Sequence, residues 1–217
     1  MRNFLILVAV LAAGFYLYTH PDIWPGSAQS STGLHPEAGS NGVAAPYALR
    51  AVTRDFAHAG VVTRIVSVVS GDRWRLEMKK STAPKTIVVV CDGTHTVSNL
   101  PPFSPVPLEK LDPRPAMEQV FAAAAHISAI ASRAPSTPTE LCDGHTCWKS
   151  AESIGGSSVQ FWVDTTTAYP VYVSGTVDGK SGDQQYERIP IDFTDPGTAE
   201  FFELNHTESI FGRFLSQ

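Results

Sequence analysis

The stretch that most constrains this chain runs from Ser158 to Phe193 and alternates apolar and polar residues with a period of two. Phe161 and Val163 alternate with Gln160, Trp162 and Asp164, and Val171 and Val173 alternate with Tyr172 and Ser174. Beyond the polar run 178–183, Ile189, Ile191 and Phe193 fall on one side of a segment that starts at Tyr186. Such alternation, broken by Gly and Asp, specifies three antiparallel strands with one apolar and one wet face. The functional question is what the apolar face covers or holds.

The same signal occurs upstream. Residues 61–69 are rich in β-branched side chains and read as a strand, and Gly71-Asp72 turns the chain. Residues 73–80 put Trp74, Leu76 and Met78 on one face and Arg73, Arg75, Glu77 and Lys79 on the other, which is expected to be wet. Residues 86–91 form the next strand, and Asp92-Gly93 signals a hairpin into 94–98. The segment 99–115 holds six prolines and cannot be regular. Two longer helices are expected. One covers 46–58, with Leu49, Val52 and Phe56 on a stripe; the other covers 115–133, with Met117, Val120, Phe121, Ala124, Ile127 and Ala131 on a stripe and His126 opposite. Residues 140–150 read as a hairpin, and 205–217 as a short helix capped by Asn205 with Glu208 three residues on. Strands and helices do not alternate one by one, so the expected class is α+β with a largely antiparallel sheet.

The N-terminus bears on compartment. Arg2 precedes an apolar run over residues 4–18, a length between a signal-peptide core and a full membrane span. Tyr16, Tyr18 and Trp24 form an interfacial belt that favours a retained anchor; a cleaved signal, giving a secreted protein, is the alternative. The expected layout is a membrane segment over 1–24, a flexible Gly/Ser/Ala/Pro linker over 25–45 and a globular domain over 46–217, anchored in the inner membrane and facing the periplasm. A net charge of -5 without a basic block speaks against a nucleic-acid partner.

Cys142-Asp143-Gly144-His145-Thr146-Cys147 is the densest chemical cluster. In an oxidising compartment the simplest reading is a Cys142–Cys147 disulfide across a four-residue turn, with free thiols as the alternative; a metal site is disfavoured because the cluster offers at most three ligands where a structural zinc takes four. Cys91, the odd cysteine, reads as a buried thiol, with pairing to Cys142 or Cys147 the lesser option. No nucleophile elbow, phosphate loop or zinc-protease motif is present, and the seven histidines sit in separate elements. Neither catalysis nor a cofactor is expected, although a triad assembled from distant residues leaves no sequence trace. Asn205-His206-Thr207 matches a glycosylation sequon.

The apolar residues Trp74, Leu76, Met78, Ile87, Val89, Phe161, Val163, Val171, Val173, Ile189 and Ile191 would line one side of the sheet. Either two helices seal them as a core, or a curved sheet leaves a slot for a lipid tail. The run GDRWRLEMKKSTAPKTIVVVCDGTHTVSNLPP resembles the early meander of the LolA-like proteins, and VQFWVDTTTAYPVYVSG resembles their later signature. Trp162, Asp164, Tyr169 and Pro170 occupy the matching places. The resemblance implies a strongly curved antiparallel β half-barrel with helices, including Phe121 and Ile127, over its concave face. It also implies a ligand, a lipid acyl chain or a lipoprotein, in the apolar cavity between them, with no catalytic residues. A sensory or protein-interaction domain with an envelope partner and a fully packed sheet is the alternative.

Overall fold

The computed structural model describes residues 45–55, 61–100, 108–134, 137–154, 157–177 and 180–216. The expected membrane segment and linker lie outside these, apart from Ala45. Among the described residues no helix is long and apolar enough to cross a membrane. The chain is mostly β. Its strands are β1 (Tyr47–Asp55), β2 (Val62–Ser70), β3 (Arg73–Lys80), β4 (Ile87–Cys91), β5 (Thr96–Ser98), β6 (Thr139–Cys142), β7 (His145–Ile154), β8 (Ser157–Asp164), β9 (Pro170–Val177) and β10 (Lys180–Arg188). The helices are α1 (Arg114–Arg133) and α2 (Gly212–Ser216), with single 3₁₀ turns at Leu108–Leu111 and Pro196–Phe202. The class is therefore more β-rich than the α+β expectation.

The chain forms two compact units. The first gathers the described residues of 36–53, 61–114 and 186–217, and the second those of 54–60 and 115–185. In the first, the strands follow the order β5-β4-β3-β2-β1, with β2–β3, β3–β4 and β4–β5 antiparallel. In the second, the order is β10-β9-β8-β7-β6, again antiparallel throughout. Turn chemistry sets these registers. Asp143 (φ 50) and Gly144 (φ 80) both take positive φ, the requirement of the two-residue turn that pairs Cys142 with His145. Gly182 is needed for a different reason: a Cβ there would stand 3.0 Å from the Arg54 carbonyl oxygen.

Three expectations are corrected. The helix over 46–58 is instead strand β1. Its residues Tyr47, Ala48, Leu49, Ala51, Val52 and Thr53 are all buried, so both faces are covered. A strand buried on both sides loses its alternation, and chance spacing of Leu49, Val52 and Phe56 then mimics a helical stripe. The third strand of the organising stretch begins at Lys180 and ends at Arg188, so Ile189, Ile191 and Phe193 follow it in irregular chain. The C-terminal helix shrinks to α2, and Asn205 caps nothing; Asp195 instead caps the 3₁₀ turn by accepting from Gly197 N.

The tail is drawn away from helix because β3 holds it. Val66 and Val68 share a face of the β2–β3 ladder with Arg75 and Glu77, through the pairs Val66–Glu77 and Val68–Arg75. This charged side of β3, expected to be wet, is covered, and both Arg75 and Glu77 are 0 % exposed. Arg75 Nε donates to Glu77 Oε1 at 2.8 Å, while its Nη atoms donate to the carbonyls of Phe201, His206 (2.7 Å) and Glu208. Glu77 accepts from Ser209 Oγ (2.6 Å), Ile210 N (3.0 Å) and Phe211 N (3.3 Å). Around this pair Phe202, Phe211, Leu215 and Ile189 close over Ala48, Val66 and Val68, with Ile191, Phe193, Phe201 and Phe214 at the margin.

Removing one partner of a buried pair strands the other. Arg75→Met is expected to cost about 3–5 kcal/mol, read as a lower urea midpoint. Lys85→Met, at an exposed position, should shift stability by no more than about 0.5 kcal/mol.

Candidate functional site

The expected ligand-lining residues separate into distinct groups. In the first unit Trp74, Leu76 and Met78 face Cys91, Val89 and Ile87 across the β3–β4 ladder, so Trp74, Leu76, Met78, Ile87 and Val89 share a face. All but half-buried Ile87 are buried. Ile189 and Ile191 are not with them. They pack with Val66 and Val68, which lie on the opposite face because Ser67 and Ile65 pair with Leu76 and Met78. The expectation that these two isoleucines line the same surface as Trp74 is therefore corrected. They lie beyond the end of β10, where strand alternation no longer governs which way a side chain points.

In the second unit α1 lies on β7–β9. Its Ala123, Ala124 and Ile127 pack against Val159, Phe161 and Val163, with Trp148 and Val173 at the margin. Phe121 meets Tyr169 edge-on, with ring centroids 5.4 Å apart. Phe161, Val163, Val173 and Ile127 therefore belong to one helix-on-sheet layer, whereas Phe121 meets Tyr169, which is not among them. Val171 does not. A bulge at Trp162/Val163 pairs Trp162 with Tyr172 but Val163 with Pro170, leaving Val171 as the extra residue. It packs with Trp162 and Cys147 on the other face.

The α1-bearing face extends past the helix. Leu141 pairs with Thr146 and Thr139 with Trp148, so Leu141 and Trp148 share this face as diagonal neighbours. Exposure falls from 77 % at Leu141, through half-buried Trp148, to 0 % at Val163, which is Trp148's partner on β8. On α1, Ile130 is also 51 % exposed. An apolar track thus leads from the strand at the end of this unit's order to the margin of the α1 layer.

Around this cluster of Trp162, Cys147 and Val171 the reverse face carries polar side chains bonded to one another. Trp162 Nε1 donates to Glu140, which also pairs with Lys149, and the Lys149 ammonium sits 4.7 Å above the Trp162 ring. Tyr172 donates to Asp183 at 2.6 Å, and Arg54 reaches the same carboxylate at 3.3 Å. Burial and this contact with Asp183 push the Tyr172 hydroxyl up to about 12. Asp164, at the end of β8, is the hub of the tight turn that follows. Its Oδ1 accepts from Thr166 N (2.8 Å), Thr167 N (2.7 Å) and Thr167 Oγ1 (3.1 Å), and its Oδ2 faces His145 Nδ1 at 2.7 Å. Burial alone would raise the Asp164 pKa, but the Thr167 and Thr166 N–H groups and His145 outweigh it and hold the carboxyl below the usual range.

The Cys142–Cys147 disulfide is not formed; all three cysteines are free thiols. The register explains why. Cys142 faces His145, and Cys147 faces Glu140, so the two sulfurs belong to diagonal positions. Diagonal Cα atoms stand about 7–8 Å apart, beyond the span a disulfide bridges. Burial first, then Cys142 and Asp164, pushes the Cys147 thiol up to about 12. Cys91 is buried, as expected. The His145–Asp164 contact was not anticipated, although an Asp followed by three threonines is the sequence signal of such a turn.

No family model matches this sequence, and no curated protein matches it. Among solved structures, PNGF-II in space group P21 matches with a TM-score of 0.32 and 9% identity, covering 74% of this chain and 31% of that one. PNGF-II in space group C2 matches with a TM-score of 0.31 and 9% identity, covering 79% and 33%. The chain thus spans about a third of their length, and likeness at this level carries no argument about fold or function.

A carboxyl whose folded pKa is depressed adds stability above its unfolded pKa and loses it as pH falls through the folded value. Between about pH 4 and pH 2 the melting temperature of the wild type should therefore fall more steeply than that of Asp164→Asn. Parallel slopes in a pH series of thermal melts would refute the assignment.

Proposed function

We propose that this chain is a membrane-tethered, extracytoplasmic binding domain that holds the acyl chain of a lipid or lipoprotein, without catalysis. The observation that supports this reading is the apolar track from Leu141 past Trp148 to the edge of α1. An acyl chain laid along it would meet Leu141 and Trp148, with the methyl-bearing Thr146 and Thr139 beside them, and then the apolar layer beneath α1. The curved half-barrel of the LolA-like proteins is the arrangement that would shape such a track into a slot. Burial at about 0.8 kcal/mol per methylene makes a chain of roughly twelve carbons worth about 9 kcal/mol gross. Association costs of at least about 4 kcal/mol leave roughly 5 kcal/mol, a Kd of some hundreds of micromolar.

A second reading has its own support. Ile127, Phe161 and Val163 are each 5 % exposed or less and touch one another, as in a core already filled. In that case the exposed Leu141 and Ile130 would serve a protein partner in the envelope.

Titration with a fluorescent fatty acid separates the two. Binding with a Kd of some hundreds of micromolar, which Leu141→Glu weakens at least 10-fold, is the expected result. Absence of binding, together with no lipid in organic extracts of the purified protein, would reject lipid carriage in favour of the interaction domain.

A further inference from the structure

The motif Asn205-His206-Thr207 has no part in the lipid-binding reading. The chain's asparagines are Asn3, Asn41, Asn99 and Asn205, and the last alone has a Ser or Thr two positions on. Such a motif marks an acceptor for N-linked sugar only where it lies on a surface loop of an exported protein. Asn205 meets the structural condition. It is exposed, and no helix or strand occurs over residues 203–211. The flanking chain is held through main-chain groups. Arg75 donates to the carbonyls of Phe201, His206 and Glu208, and His206 N donates to Glu203 O at 3.1 Å. Among the described residues no hydrogen bond or ion pair uses the Asn205 side chain. A group added at its Nδ2 therefore displaces none of the contacts that hold the tail. Asn99 is the opposite case, because its Oδ1 accepts from Val88 N at 2.9 Å and its Nδ2 donates to Thr86 O at 3.0 Å.

We infer that Asn205 is the attachment site of an N-linked oligosaccharide. The donor is an oligosaccharide carried on a polyprenyl diphosphate, the co-substrate of an oligosaccharyltransferase. The amide Nδ2 bonds to the anomeric carbon as the bond from that carbon to the diphosphate oxygen breaks. The diphosphate leaves with the electron pair, and the nitrogen gives up one proton to a base of the transferase. In the folded chain Thr207 is half-buried, and Arg75 grips the carbonyls on either side of it. The transferase must reach Asn205 and Thr207 together, so transfer precedes the docking of the tail on β3, which then leaves the sugar on the solvent side. Glu203, exposed and two residues ahead of Asn205, gives the segment an acidic flank that suits a cationic peptide groove. The inference rests on the extracytoplasmic placement proposed above and not on lipid carriage.

The experiment exports the full chain to the periplasm of a bacterium that expresses an oligosaccharyltransferase and its lipid-linked donor, and locates sugar by peptide mass spectrometry. The expected result is a glycan on Asn205 and none on Asn3, Asn41 or Asn99. Thr207→Ser should keep it, whereas Thr207→Val, of nearly the same shape, should lower the occupied fraction at least about 10-fold. Arg75→Met, which frees the tail, should be occupied at least as fully as the wild type. An exported chain with Asn205 unmodified overturns the inference. So does a Thr207→Val chain modified as fully as the wild type, or a lower occupied fraction in Arg75→Met. A chain retained in the cytoplasm overturns the envelope reading together with this site, so the two failures are told apart by where the chain is found.

Discussion

The first unit depends on a single buried ion pair. Arg75 and Glu77 lie two residues apart on β3, so they share a face, and neither reaches water. Two charges removed from solvent are tolerable only if nearly every donor and acceptor is met. Here the partners are main-chain groups of Phe201, His206, Glu208, Ile210 and Phe211, with the Ser209 hydroxyl. The pair therefore dictates the path of the C-terminal segment residue by residue. That path in turn delivers Phe202, Phe211 and Leu215 onto Val66 and Val68. Arg73 reinforces the arrangement by standing 5.0 Å from the centre of the Phe202 ring. Hydrophobic burial supplies the drive, and the ion pair supplies the address.

The second unit is organised by a turn rather than a charge pair. Asp164 gathers the N–H groups of Thr166 and Thr167, which closes the β8–β9 connection and sets where β9 starts. The bulge beside it rotates Val171 to the reverse face and leaves Phe161, Val163 and Val173 beneath α1. The sheet thus acquires two unlike surfaces. One is an alanine- and isoleucine-covered hydrocarbon layer; the other is a band of aromatic, acidic and thiol groups.

Much of this was legible in the sequence, and the exceptions have physical causes. Strands β2 to β4, β8 and β9, the hairpin at Asp143-Gly144 and helix α1 all followed from alternation, turn residues and helical periodicity. The helical face of Met117, Ala124, Ile127 and Ala131 was also read correctly. Strand β1 was misread because burial on both sides erased its alternation. Strand β10 was misplaced because its sequence, KSGDQQYER, is almost wholly polar and looks like loop. The fate of Arg75 and Glu77 was invisible locally, since their partners lie more than 120 residues away. Of the candidate site, residue pattern recovered the group under α1 but pooled with it Ile189, Ile191 and Val171. A composition-based list cannot sense a strand end or a bulge.

The separation between Arg75–Glu77 and the segment that satisfies them has a consequence for assembly. The contacts join residues 126–134 positions apart, whereas the second unit draws chiefly on one contiguous span, 115–185. During synthesis at about 5–20 residues per second, β3 would emerge on the order of ten seconds before its tail partners. For that interval a pair of unsated charges and the valines beside them stand open, while the later-made hairpins can already close on near neighbours. The vulnerable period in this molecule's birth belongs to the part that is translated first.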